Sequence, residues 1–261
     1  IGSMAAAWEW TMSALIITFM ASNWLFGPLQ AGDIEVRLNT SYIEGHADSG
    51  SASIEHKSAE FMAGISMGLS DTWTLAFDLP YEFSRQSYDG RVFLDRNRLK
   101  TSRIRLDYLL RPNTQVGLIG RITQPDGLES SRDALDPIRP YFKDNFDETS
   151  AAIGLRHMSQ FSTTRVGVDC HVDYFATSGQ MGIELDTVGL WQPGLSWLAL
   201  GGAVKAAYSG LDARPNTIKI GLIERLGTAK GWAFQFTLSR DVYTSASHPD
   251  SQVIGSVSWR G

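Results

Sequence analysis

The sequence predicts an all-β fold, a closed antiparallel transmembrane β-barrel of about twelve strands, and three observations predict it. The first is strict alternation. In Trp73–Phe83 every second residue is large and apolar (Trp73, Leu75, Phe77, Leu79, Tyr81, Phe83), and Thr74, Ala76, Asp78, Pro80 and Glu82 lie between them. A period of two makes a strand with one apolar and one polar face. The second is the rhythm of connections: short turns alternate with long polar loops along the whole chain, as in barrels with short periplasmic turns and long extracellular loops. The third is the aromatics. Trp73, Trp191, Trp197, Trp232 and Trp259 lie beside short turns or the C-terminus, and Tyr42, Tyr81, Tyr174, Tyr208 and Tyr243 at the opposite strand ends. Rings with an apolar body and a polar tip suit the two bilayer interfaces. At roughly 3.3 Å per residue and a tilt near 40°, Trp73 to Tyr81 crosses about 20 Å, close to the apolar band of such barrels.

Composition narrows the function. Net charge is −5 at pH 7, so no basic surface invites nucleic acid. The single cysteine, Cys170, excludes an intramolecular disulfide and a cysteine-cluster metal site, and neither a metal nor a cofactor is expected. The expected partners are membrane lipid, lipopolysaccharide and a small-molecule solute, with no oligomeric state indicated.

The N-terminal stretch, residues 1–31, is set apart from the barrel, residues 32–261. An apolar core, Ser13–Phe26, is followed by Gly-Pro and then Leu29-Gln30-Ala31, the pattern of a signal peptide cleaved before Gly32. A basic n-region is missing, so a helix that plugs the barrel or lies in the membrane is the alternative.

The strands follow in order. Ile34, Val36, Leu38 and Tyr42 alternate with Glu35, Arg37, Asn39 and Ser41, and a polar loop, His46–Lys57, comes next. Phe61, Ala63, Ile65, Met67 and Leu69 lead through the short Ser70–Thr72 turn into Trp73–Phe83. Within that strand Pro80 removes a ladder hydrogen bond, so an irregularity is expected there. A charged loop, Ser87–Thr101, precedes the strand of Ile104, Leu106, Tyr108 and Leu110. After the Arg111-Pro112-Asn113 turn comes Val116–Thr123, then the longest loop, Pro125–Glu148, the candidate to fold inward. Ile153 and Leu155, then Val166–Tyr174, then Met181–Leu185 form the next three strands. Trp197–Tyr208, Ile218–Arg225, Trp232–Tyr243 and Val253–Trp259 complete the set. Arg240 takes the lipid-facing parity, which calls for snorkelling or a phase-resetting bulge.

The hairpin Gly68-Leu69-Ser70-Asp71-Thr72-Trp73, continued by Leu79-Pro80-Tyr81, resembles the outer-membrane barrels associated with meta-pathway phenol degradation. The resemblance covers one hairpin and the general architecture. It implies a bacterial outer-membrane barrel for small, often aromatic or hydrophobic compounds. The C-terminus departs from the usual aromatic last residue, since Arg260 and Gly261 follow Trp259.

Parity places Arg37, Arg103, Arg105, Arg121, Arg156, Arg165, Lys205, Lys219 and Arg225 in the lumen, with Glu35, Glu60, Asp78, Glu82, Asp107, Asp169, Asp173, Glu184, Asp186 and Asp241. These charges either form an arginine track for an anionic solute or pair across strands and brace the wall. Three functions follow: a passive channel or transporter for small solutes, a barrel hydrolase using His171 with Asp169 or Asp173 as a general base, or a structural or adhesion barrel acting through its loops. Gly64-Ile65-Ser66-Met67-Gly68 matches G-x-S-x-G but lies in an alternating strand, where the required strand-to-helix elbow cannot form. The acidic run Asp144–Glu148 lacks the spacing of a calcium loop and is expected to be solvated.

Overall fold

The computed structural model describes residues 25, 27–49, 52–88, 91–122, 149–176, 179–209, 216–228, 230–244 and 251–261. They form thirteen strands. In chain order these are β1 (Ile34–Ser49), β2 (Ala52–Gly68), β3 (Trp73–Tyr88), β4 (Arg91–Leu99), β5 (Ser102–Arg111), β6 (Thr114–Ile122) and β7 (Ser150–Phe161). Then come β8 (Thr164–Phe175), β9 (Met181–Trp191), β10 (Leu198–Ser209), β11 (Thr217–Gly227), β12 (Gly231–Thr244) and β13 (Ser251–Arg260). All pairings are antiparallel. β13 pairs with β1, β1 with β2 and β2 with β3, which closes a ring of twelve strands with β4 outside it. Closure leaves the ring no free edge to satisfy in lipid.

Burial follows the alternation. Phe77, Leu79, Tyr81 and Phe83 are exposed on the outer face, while Asp78, Pro80 and Glu82 are buried inside. Trp73, Trp191, Trp197, Trp232 and Trp259 are exposed at the short-turn end, and Tyr81, Tyr174, Tyr208 and Tyr243 at the other. Trp73 stacks obliquely on Tyr108 across the β3–β5 pair, with ring centroids 4.9 Å apart.

Two expected loops are corrected to strand. Most of Ser87–Thr101 belongs to β3 and β4, and His46–Lys57 to β1 and β2. Glu44 is the last β1 residue paired with β13, and beyond it β1, β2, β3 and β4 continue as a four-stranded sheet past the ring. The longest loop and the Asp144–Glu148 run lie outside the described residues.

Pro80 does create an irregularity, but in its partner. β3 runs straight through it, while the facing strand breaks at Lys100–Thr101 into β4 and β5. The Lys100 N–H still donates to the Pro80 carbonyl at 3.0 Å. Arg240 does point outward. The register slips just beyond it, where Ile218 faces Tyr243 but Lys219 faces Asp241, so Val242 is the extra residue. Ser66 sits inside β2, with no elbow.

Candidate functional site

The lumen holds the charged residues that parity placed there, gathered into separate groups. In the first, Arg103 Nε donates to Asp78 Oδ2 at 2.9 Å and Arg37 donates to Asp78 Oδ1 at 2.9 Å. Arg37 also reaches Glu35 at 3.2 Å. The second group is the most enclosed. Arg105 donates to Asp107 at 2.7 Å and to Asp169 at 2.9 Å, and Arg156 donates to Asp169 at 2.7 Å and Asp107 at 3.3 Å. Two arginines and two aspartates thus form a closed ring of bonds spanning β5, β7 and β8.

Glycine makes room for these groups. A Cβ on Gly117 would lie 2.3 Å from Asp107 Oδ1, and one on Gly64 would lie 2.6 Å from Asp78 Oδ1. These two inward positions are glycine because the carboxylates of Asp107 and Asp78 and the guanidinium groups of Arg105 and Arg37 occupy the space a Cβ would take.

The third group lies on β6, β8, β9 and β10. Arg121 bonds Asp173 and donates to His171 Nε2 at 2.7 Å. Glu184 lies 3.3 Å from the same Nε2 and is bonded to Lys205, which is 3.8 Å from Asp186. His171, Asp173 and Glu184 together have the ligand types of a metal site, with atoms within 4.8 Å of one another. Arg121 and Lys205 already supply the positive charge. This group is also the wettest: Lys205 is 37% exposed and Asp186 28%, against 3% for Arg105 and for Asp107.

Asp169 and His171 share a face of β8 but not a site, because Asp169 is turned to Arg105 and Arg156. Glu82 is likewise apart from Arg103 and Arg105. It accepts from Ser58 at 3.0 Å and lies 3.6 Å from Lys100, which also reaches Glu60 at 3.2 Å. Lys100 was assigned to a loop by sequence and is luminal; its position opposite Pro80 was the available signal.

The periplasmic end differs in character. Val188, Leu190, Ala199 and Ile223 face inward and bury Leu25 completely among them. Burying a leucine stabilises by about 1.5–3 kcal/mol. Arg165 donates to the Leu25 carbonyl at 3.1 Å, and Arg260 to those of Gly27 and Pro28 at 3.2 and 2.6 Å. Gln30 passes so close to the end of β2 that a Cβ on Gly68 would sit 1.8 Å from its carbonyl oxygen. Residues 27–29 cap a cavity of about 50 Å³ beneath Arg37, Asp78, Arg105 and Arg156, room for a few water molecules at most. Outside the barrel, Leu118, Gly120, Ala151, Ile153 and Tyr174 line an apolar trough of about 670 Å³ on the lipid-facing wall.

Solved structures of similar fold are outer-membrane barrels. An outer-membrane channel from Pseudomonas putida F1 matches at a TM-score of 0.61 and 14% identity, over 90% of this chain and 98% of that one. The translocator domain of the autotransporter NalP from Neisseria meningitidis matches at 0.55 and 13%, over 99% and 97%. The CymD monoaromatic hydrocarbon channel matches at 0.50 and 10%, over 92% and 91%. At these identities the likeness is one of fold. No family model matches the chain, and no curated protein does.

Proposed function

We propose that the chain is a bacterial outer-membrane channel for passive passage of small solutes. The observation that carries this is the gradient of wetness across the lumen. Glu184, Asp186 and Lys205 are charged, inward-facing and 22–37% exposed, whereas the members of the Arg105–Asp107–Arg156–Asp169 ring are 3–16% exposed. A barrel that only braced itself would have no reason to keep one charged group wet. Twelve strands also enclose a wider interior than the eight whose side chains can fill it. A solute path along β8–β10, passing Glu184 and Lys205, follows from this arrangement. Small anionic or hydrophobic compounds, aromatic ones among them, are the solute class we assign, in keeping with the channels of similar fold.

The hydrolase reading gains nothing from the geometry. His171 Nε2, the atom a general base would use, is held by Arg121. The test is direct: the folded protein in a planar bilayer should conduct ions in discrete steps. A sealed bilayer under every applied voltage would overturn the channel.

A further inference from the structure

The apolar luminal patch that takes Leu25 has arginines on both flanks. Arg165 on β8 stands directly opposite Leu190 on β9, and Arg225 on β11 directly opposite Ala199 on β10. Between them the floor is Val188, Leu190, Ala199 and Ile223, every one at least nine-tenths buried. Gly201, opposite Leu190, keeps the floor flat: a Cβ there would lie 2.9 Å from the Leu190 side chain and 1.9 Å from the Gly189 carbonyl oxygen. One carboxylate, Glu35, acts on Arg225 from β1, and it already bonds Arg37.

The occupant now in place shows what the pocket recognises. Leu25 supplies an apolar body and its carbonyl supplies an oxygen to Arg165. Two residues on, the Gly27 and Pro28 carbonyls supply oxygens to Arg260. A carbonyl is a neutral acceptor. Guanidinium bonds to an anionic oxygen are shorter and roughly twice as strong, and a carboxylate can take two of them at once. An apolar chain ending in a carboxylate therefore matches the pocket better than the peptide does.

We propose that this pocket is a binding site for amphiphilic monocarboxylates, in which Leu25, Gly27 and Pro28 sit as an internal surrogate. The assignment rests on the channel reading above and names a substrate class for its periplasmic end. If residues 1–31 are removed, the pocket stands open. If they are retained, the solute and the segment compete for it.

The test uses the full chain in lipid nanodiscs, titrated calorimetrically with octanoate, octylamine, octanol and acetate, with empty nanodiscs as blanks. Leu25→Gly removes the apolar body that fills the pocket and adds no charge for the flanking arginines, and it should release the segment. Octanoate affinity should then rise at least about tenfold over the unaltered chain. Adding Arg165→Gln or Arg225→Gln should abolish the gain, and the other three probes should bind at least tenfold more weakly than octanoate. Octanol binding as tightly as octanoate would overturn the carboxylate assignment. A folded Leu25→Gly protein with no gain would overturn the site. Should that variant not fold, hydrogen exchange on the unaltered chain decides: octanoate, but not octylamine, should speed exchange at residues 29–32, and no change overturns the site. Conductance recorded on the same protein separates the two proposals. Conductance without octanoate binding sinks this site alone, and binding without conductance sinks the channel alone.

Discussion

The two halves of the lumen wall are built on opposite principles. From β1 to β8 the inner face carries an interlock of arginines and carboxylates, packed against Gly64 and Gly117 and largely buried at its centre. From β9 to β11 the periplasmic half of the inner face is small and apolar, and it receives Leu25 from the chain's own N-terminal segment. Between the two lies the wet group of Glu184, Asp186 and Lys205. The charged wall is rigid because each ion of the Arg105–Asp107–Arg156–Asp169 ring has two partners, and removal of any leaves a buried charge uncompensated. The apolar wall holds its occupant by packing and by arginine bonds to neutral carbonyls, so that occupant can be exchanged. One barrel thus carries a brace on one side and a replaceable seat on the other.

The largest expected effect comes from breaking the brace. Asp169→Ala strips Arg105 and Arg156 of a shared carboxylate in a largely buried site. Removing one partner of such a buried group costs about 3–5 kcal/mol. Urea unfolding of the membrane-inserted protein should show that loss, and Ile223→Val on the apolar wall should lose only about 1 kcal/mol. Equal losses would mean that the two walls are not different in kind.

Next in size is a pair of glycines within the apolar wall. A Cβ at Gly201 would meet backbone, the Gly189 carbonyl, whereas one at Gly189 meets nothing within 4 Å. Gly201→Ala should therefore cost about 1–3 kcal/mol by overpacking, and Gly189→Ala should lie close to zero in the same assay. Should both be neutral, the floor is looser than its close contacts indicate.

Much of this contrast was legible in the sequence, and the part that was not has physical causes. The period of two in Trp73–Phe83 gave both faces of β3, and the same parity put Arg105, Asp107, Asp169 and His171 inside. Parity assigns a face but not a partner. That Asp169 turns to Arg105 and Arg156, and away from His171, depends on strands up to 64 residues apart in sequence. The hairpin extensions read as loops because polar runs such as His46–Lys57 carry no apolar alternation to betray a strand. Leu25–Ala31 reads as the end of a signal, with a helix that plugs the barrel or lies in the membrane as the alternative. A cleavable apolar run and one that docks in a lumen have the same composition. Parity within single strands says nothing of a pocket assembled from β9, β10 and β11.

A smaller effect is expected in ion selectivity, and it separates the wet group from the brace. Lys205→Gln removes a cation that water and solutes reach, so anion preference should fall by about twofold in reversal-potential measurements. High salt should mask the change, because the Debye length shrinks to about 3 Å at molar ionic strength. Arg105→Gln should lower stability and leave selectivity unchanged. The triple replacement of Arg103, Arg105 and Arg121 by alanine joins the two tests. If it alters selectivity at constant stability, the arginines form a conduction track after all.

The smallest effect concerns the seat's fastening. Asp33 ties the segment to the barrel: it accepts from the Gln30 N–H at 3.1 Å and lies 3.6 Å from Lys230 and 3.5 Å from Arg260. The Gln30 N–H, and after it the charges of Lys230 and Arg260, hold its carboxyl below the ordinary value of 3.8. A carboxyl depressed in the folded state stabilises that state fully above its unfolded value, and the stabilisation is lost as pH falls through the lower folded value. Acidification below 3.8 should therefore loosen residues 30–33 before the barrel itself yields. The check is hydrogen exchange at the Gln30, Gly32 and Asp33 amides, followed from neutral to acidic pH and corrected for intrinsic exchange rates. Protection should fall in that range in the unaltered chain, and in Asp33→Asn it should be low throughout and independent of pH. Because Asp33 is partly solvated and its ionic partners sit beyond 3.4 Å, the change should be several-fold in exchange rate and leave the unfolding midpoint unmoved. If Asp33→Asn keeps the original protection and its pH dependence, the fastening lies in the arginine–carbonyl bonds and the Leu25 pocket, not in this carboxylate.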